Sequence, residues 1–284
     1  MNSTLERREI SSEAESAPSG LSIFDFPPEK PRTKGRALVV EDNMVNQRVI
    51  VQMIEKRGYA VDVASNGLEA LDQLSRTTYD LVLMDCQMPE MDGYEATREI
   101  RRLEGSSRHT TIVAVTANAM VGDREKCMDA GMDDYLSKPV KMEALDAMLN
   151  RWFWDDAENK SAIEEPAINE NDCIDHSALD QLRELQEDEE DDLVRELIEI
   201  FIADAPGYIA GISTAIESAN AHALERAAHT LKGSSASLGA HQLAAVCLEM
   251  EKLGRSGSLE GARELLATIR REFERARLAF EAMM

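Results

Sequence analysis

The sequence predicts an α/β domain followed by an all-α domain: a parallel, doubly wound (βα)5 sheet, then an antiparallel helical bundle. Three observations lead there. Between residues 36 and 153, short β-rich runs alternate five times with stretches of helical period, the pattern of a parallel sheet covered on both faces. After residue 174 no β-rich run appears, and apolar residues recur three and four positions apart. Between the two, residues 154–174 are acidic and without apolar period, which marks a linker.

Each element has a local cause. Residues 1–35 are rich in Ser, Glu and Pro and read as a disordered tail. Ala37 to Val40 is a continuous apolar run, as a strand buried on both faces requires. Val45, Val49, Ile50, Met53 and Ile54 then follow at helical spacing, with Gly58 ending that helix. Tyr59 to Ala64, Leu81 to Met84, Thr111 to Val115 and Tyr135-Leu136 give the remaining strands. The helices between them follow Asn66-Gly67, cover Tyr94 to Leu103, run to about Ala130, and close with Val140 to Asn150. In residues 175–284, Leu193, Leu197, Ile200 and Phe201, then Ile209, Ile212 and Ile216, then Leu243, Val246, Leu248 and Leu253 mark helices. Gly207, Gly239, Gly254 and Gly257 are expected to punctuate them.

Charge narrows the function. Lys and Arg number 31 against 54 Asp and Glu, a net of −23, so no basic face is available for nucleic acid. No run of about 18 apolar residues predicts membrane insertion. Met1 to Ile10 clusters charges with no apolar stretch behind them, unlike a secretory signal. Cys86, Cys127, Cys173 and Cys247 form no Cys-x-x-Cys pair and read as free thiols of a reducing cytoplasm. The acidic run from Glu187 to Asp192 is expected to be a solvated helix start, since consecutive carboxylates do not converge from one helix.

In an open α/β sheet, ligands bind beyond the carboxyl ends of the strands. Glu41 and Asp42 follow the first strand, Asp85 follows the third, Thr116 follows the fourth and Lys138 follows the fifth. Taken singly, an Asp at a strand end is a turn or cap residue and a Lys is a surface residue; their joint placement is what points to chemistry. Three converging carboxylates repel one another unless a cation joins them, and oxygen ligands select a hard ion such as Mg²⁺. Flanked by that ion and the Lys138 ammonium, Asp85 is suited to attack phosphorus and form an acyl phosphate, with Thr116 hydrogen-bonded to a phosphoryl oxygen.

The strings VVEDNMVNQ, DLVLMDCQMPEMDGYEATREIR, VTANAM and YLSKP resemble the receiver domain of two-component response regulators across residues 36–153, in wording closest to receivers attached to hybrid histidine kinases. The resemblance implies a flavodoxin-like fold, Asp85 as phosphoacceptor, and Asp42, Asp85 and the Gln87 carbonyl as direct Mg²⁺ ligands, with Glu41 acting through water. It also implies Thr116 and Lys138 as phosphoryl-holding groups, Tyr135 as the aromatic that turns inward on activation, and a cis peptide before Pro139.

Among five histidines, only His229 has a distinctive setting, with Lys232 and Gly233 on the same helical face. Such a histidine is expected to be exposed, Gly233 clearing space for a partner and Lys232 offering charge to phosphoryl oxygens. The spacing alone also fits a surface histidine with a glycine at a helix end. The string HTLKGSSASLGA is similar to the core of histidine phosphotransfer domains, a resemblance spanning about residues 175–284 that implies a helical bundle with a four-helix core and His229 as phosphocarrier.

No phosphate-binding Gly-rich loop or ATP-binding box of a kinase is present, so the chain is expected to be no enzyme in itself. It would take phosphoryl groups from a sensor histidine kinase and hand them, through Asp85 and His229, to a downstream response regulator or receiver, or run the reverse flow. It would do so in the cytoplasm, free-standing or as the tail of a hybrid kinase. Two other readings compete. One is a Mg²⁺-dependent hydrolase of the haloacid-dehalogenase type, which calls for Asp-x-Asp after the first strand. The other is an inert receiver-fold adaptor, against which the intact Asp85, Thr116 and Lys138 set speaks.

Overall fold

The computed structural model describes residues 33–105, 108–117, 121–153, 173–186 and 192–284. Residues 1–32 of the expected tail, residues 154–172 of the expected linker and residues 187–191 of the acidic run lie outside the described residues, and Gly35, expected in the tail, opens the first strand. Five strands, β1 (Gly35–Val40), β2 (Tyr59–Ala64), β3 (Leu81–Asp85), β4 (Thr111–Thr116) and β5 (Asp134–Ser137), form one parallel sheet in the order β2-β1-β3-β4-β5. Helices α1 (Met44–Glu55), α2 (Gly67–Arg76), α3 (Gly93–Glu104), α4 (Val121–Ala130) and α5 (Met142–Phe153) connect or follow them.

Strand alternation divides the sheet's two faces cleanly. Ala37, Val39, Leu81, Leu83, Val113 and Val115 pack with Val49, Ile50 and Met53 of α1 and with Leu145, Met148 and Leu149 of α5. Their neighbours Leu38, Val40, Val82, Met84, Ile112 and Ala114 point the other way, onto Ala70, Ala96, Ile100 and Cys127 of α2, α3 and α4. Both faces are therefore dry, which is why the strands read as unbroken apolar runs rather than as alternating ones.

Five helices follow: short α6 (His176–Arg183), then α7 (Leu193–Glu217), α8 (Ala221–Ser237), α9 (His241–Arg255) and α10 (Ala262–Glu281). Asp192, the last residue of the acidic run, caps α7 by accepting from the Arg195 N–H at 3.0 Å. Phe201 sits at the centre of the bundle, edge-on to Phe273 and Phe280 at ring separations of 6.0 and 5.7 Å. Among the described residues, α7 is the one helix long and apolar enough to cross a membrane by length and composition. Its apolar stripe, Leu197, Phe201, Ala205, Ile209 and Ile212, is buried inside the bundle, as in a core helix.

Two expectations about glycine need correction. Gly207 lies inside α7, where the stripe continues past Pro206 without interruption and packing outweighs the local cost of both residues. Gly254 lies inside α9 because α8 crosses there at close range: a Cβ would come within 2.6 Å of the Glu225 nitrogen. Gly239 and Gly257 do stand between helices, both at positive φ. The buried face of α9 runs through Leu243, Cys247, Met250 and Glu251, with Val246 and Leu253 partly buried against the same core.

Because backbone rather than a flexible side chain meets the missing Cβ, Gly254→Ala should force α8 and α9 apart and destabilise the chain by about 1–3 kcal/mol. Denaturant unfolding of the variant against the parent chain measures it, and an unchanged midpoint would contradict the close crossing.

Candidate functional site

The order of the strands brings the carboxyl ends of β1, β3, β4 and β5 side by side, and every polar position expected there converges. Glu41 and Asp85 are each 1% exposed. One carboxylate oxygen from each of Glu41, Asp42 and Asp85 lies within 4.8 Å of the others. The Lys138 ammonium enters from the end of β5, 2.8 Å from Asp85 Oδ2 and 3.0 Å from Glu41 Oε1. Glu41 Oε2 is buried with no hydrogen-bond donor, although Lys138 Nζ lies 2.7 Å away off the hydrogen-bond direction. The Gln87 N–H donates to Asp85 Oδ1 at 3.1 Å. Thr116 is buried at the end of β4, its carbonyl accepting from the Lys138 N–H at 2.7 Å. The peptide between Lys138 and Pro139 is cis. Tyr135 lies half-buried on β5 with the Arg124 guanidinium 5.7 Å from its ring centre.

The electrostatics follow from burying three acids with one base. Burial pushes the Asp42 carboxyl up to about 6, with Asp85 repulsion adding to it and the Lys138 and Arg226 charges opposing it. Glu41 is raised in the same way, chiefly by burial. Burial disfavours the Lys138 ammonium, but Asp85 and Glu41 outweigh that and hold it protonated.

A second constellation centres on His229, on α8. Its Nδ1 lies 3.2 Å from Glu251 Oε1 on α9. The same carboxylate takes the Lys232 ammonium on Oε2 and, on Oε1, Arg255 Nη2 at 2.7 Å. Burial alone would raise the Glu251 carboxyl, but the bond to His229 and the Lys232 charge overcome it and bring it down to about 2. Lys232 is thereby held against Glu251. Glu251 escaped the sequence reading, although a carboxylate four residues after Cys247, on the buried side of α9, is the signal that finds it.

His229 is not exposed as expected: it retains 6% accessibility. The reason is the start of α1, which lies along α8. Asn43, the N-cap of α1, donates from Nδ2 to the Thr230 carbonyl at 3.1 Å. Asn46 donates from Nδ2 to Glu41 Oε1 at 3.1 Å and accepts at Oδ1 from Ser237 Oγ at 2.9 Å. A Cβ on Gly233 would stand 2.8 Å from that Asn46 amide, so the space the glycine clears is filled by the chain's own first domain. Of the other histidines, His241 pairs with Asp175 at 3.2 Å and His109 with Asp133 at 2.6 Å, neither of these acids belonging to the two clusters. Cys86 and Cys127 lie 3.8 Å apart as buried thiols, their proximity across 41 residues being invisible in the sequence.

Comparison with known proteins identifies both domains. Residues 37–150 match the family model of the response regulator receiver domain, and residues 196–279 that of the Hpt domain. The chain thus carries a receiver domain followed by an Hpt domain, both modules of two-component phosphorelay signalling; neither is a kinase domain. Among its relatives is the signal transduction histidine-protein kinase BarA of Escherichia coli (strain K12), 32% identical over 224 residues, covering 78% of this chain and 24% of the relative. The aerobic respiration control sensor protein ArcB of the same organism is 34% identical over 209 residues, covering 72% and 26%. The crystal structure of the receiver domain of a Pseudomonas aeruginosa PAO1 sensor histidine kinase, with magnesium in its active-site cleft, is 49% identical over 42% of this chain and 96% of that one, at a TM-score of 0.39. The chain spans about a quarter of the length of the two Escherichia coli relatives.

Glu251 titrates lower folded than unfolded, so its stabilisation is complete above about pH 4.5 and drains away as the pH falls towards 2. The stability difference between the parent chain and Glu251→Gln should accordingly shrink over that interval by about 3 kcal/mol. Urea titrations of both chains at pH 5 and pH 2.5 test it; a difference that does not depend on pH would remove the ionic role of Glu251.

Proposed function

We propose that this chain is a phosphorelay transducer in which Asp85 takes a phosphoryl group from a partner histidine kinase in the cytoplasm and exchanges it with His229, which serves a further receiver. The observation that carries this reading is the placement of α1: Asn43, next to Asp42, is bonded to the turn that bears His229, and Asn46 spans from Glu41 to Ser237. A hydrolase of the dehalogenase type is not favoured, since its Asp-x-Asp is missing after β1 and the nucleophile candidate stands at the end of β3.

An all-oxygen donor set with an orphaned Glu41 Oε2 fits Mg²⁺, with Asp42, Asp85 and the Gln87 carbonyl as direct ligands and Glu41 acting through water. When bound, the ion would neutralise charge on the phosphoryl oxygens. The residues do the rest. An Asp85 carboxylate oxygen attacks phosphorus while the donor's P–N bond breaks, and Lys138 and Thr116 hold the phosphoryl oxygens. With Thr116 drawn to the phosphoryl group, Tyr135 turns inward, and the two form the switch. In the onward step His229 Nε2 forms the P–N bond as the Asp85 O–P bond breaks, returning the carboxylate. Glu251 accepts the Nδ1 proton's hydrogen bond, which fixes the tautomer with its lone pair on Nε2 and favours the cation that forms. Lys232, beside Glu251, supplies positive charge near the transferred group. In this reading the chain turns over no substrate of its own.

Two outcomes test the proposal. Asp42→Asn removes a charge but little volume, so Mg²⁺ affinity should fall by at least tenfold in a calorimetric titration with the fold intact by circular dichroism; unchanged affinity would sink the metal assignment. With acetyl phosphate and Mg²⁺, the parent chain should accumulate base-stable phosphate on His229, and His229→Gln should hold only base-labile phosphate on Asp85. No base-stable phosphate on a parent chain with Asp85 loaded would refute internal exchange.

A further inference from the structure

The contacts that bury His229 come from within the chain, and they have a composition of their own. Towards the rim, Arg48 of α1 meets Glu196 of α7 through Nε at 3.1 Å and Nη2 at 3.1 Å, a two-pronged pair whose side chains are 38% and 46% exposed. At the centre, Asn46 is seated on Gly233 and bonded to Ser237. A crevice beside it is lined by Val49, Ile50, Pro139 and Ser237, so the loop after β5 joins α1 on this face. The apolar cluster of the α1 and α5 side of the sheet runs without a break into the bundle core. This is the layout of a specific interface, with a packed polar and apolar centre and a charged rim. It also covers the imidazole that any other receiver would have to reach.

Resting on the phosphorelay reading, we propose that the chain's own receiver domain is the resident occupant of the His229 face and gates it. An external receiver reaches His229 only after α1 lifts from α7 and α8, and the Arg48–Glu196 pair with the Asn46–Ser237 contact sets how readily it lifts. The partner this predicts is a second receiver-type surface, one that offers its own α1 to the same strip of α7 and α8. A cation matching Arg48 would favour its docking on Glu196, and an acidic residue there would exclude it.

The test is a charge swap in the full chain, read in two ways. Diethyl pyrocarbonate modification of His229, followed by peptide mapping and normalised to His222, whose side chain is 80% exposed, reports occlusion without any phosphate. Base-stable phosphate formed after acetyl phosphate treatment, normalised to the amount loaded on Asp85, reports exchange. In the parent chain His229 should be modified at least tenfold more slowly than His222, and protection should weaken as salt rises. Arg48→Glu and Glu196→Arg should each speed its modification and slow exchange by roughly three- to tenfold, through like-charge repulsion. The double variant should recover most of both. A parent chain in which His229 reacts as fast as His222, or single variants indistinguishable from the parent, would overturn the gate. Protection that is lost in the single variants and recovered in the double upholds it, and if no base-stable phosphate forms even then, it is the exchange reading that falls.

Discussion

Lys138 is the group on which the charge balance of the first domain's strand-end cluster depends. Two carboxylates with 1% exposure would not remain charged side by side without a compensating cation, and its ammonium stands within 3.0 Å of both. It arrives there because β5 is the far edge of the sheet and the chain turns at Pro139 directly after it. The arrangement is electrostatically lean: one positive charge faces three acids, and an oxygen of Glu41 is left without a donor. A site built this way is completed by what it binds.

The second constellation solves the opposite problem. Around Glu251 a single carboxylate serves His229, Lys232 and Arg255, so it is the acid that is over-supplied with partners and kept ionised. The carboxyls of Glu41 and Asp42 are thus raised and that of Glu251 lowered, by the same balance of burial against neighbouring charge. Helix geometry makes the second cluster possible, since His229 and Lys232 are three apart on α8 while Glu251 and Arg255 are four apart on the helix it crosses.

Much of this was legible in the residues themselves. The five alternations of the sheet domain are local signals, each strand a short apolar run and each helix a separate period. The strand-end positions of Glu41, Asp42, Asp85, Thr116 and Lys138 follow from counting those units. The helix that carries His229 was legible too, but not its burial. What covers the imidazole comes from α1, and the bond from Asn43 to Thr230 spans 187 positions. Contacts of that kind leave no periodicity to read. Gly207 misled for the related reason that a buried stripe, not the glycine, decides whether α7 continues. Gly254 answers to a neighbouring helix backbone, which no single-helix pattern contains.

Carrying both constellations on one docked chain separates two kinetic orders. In the proposed relay, exchange between two groups of one chain would be first-order, so its half-time would not change with how many copies of the protein a cell makes. Departure to any other molecule is second-order and scales with the abundance of both parties. In such a relay, expression noise would leave the internal step untouched and appear in the steps that meet another molecule, where the abundance of this chain counts as much as that of its donor or acceptor.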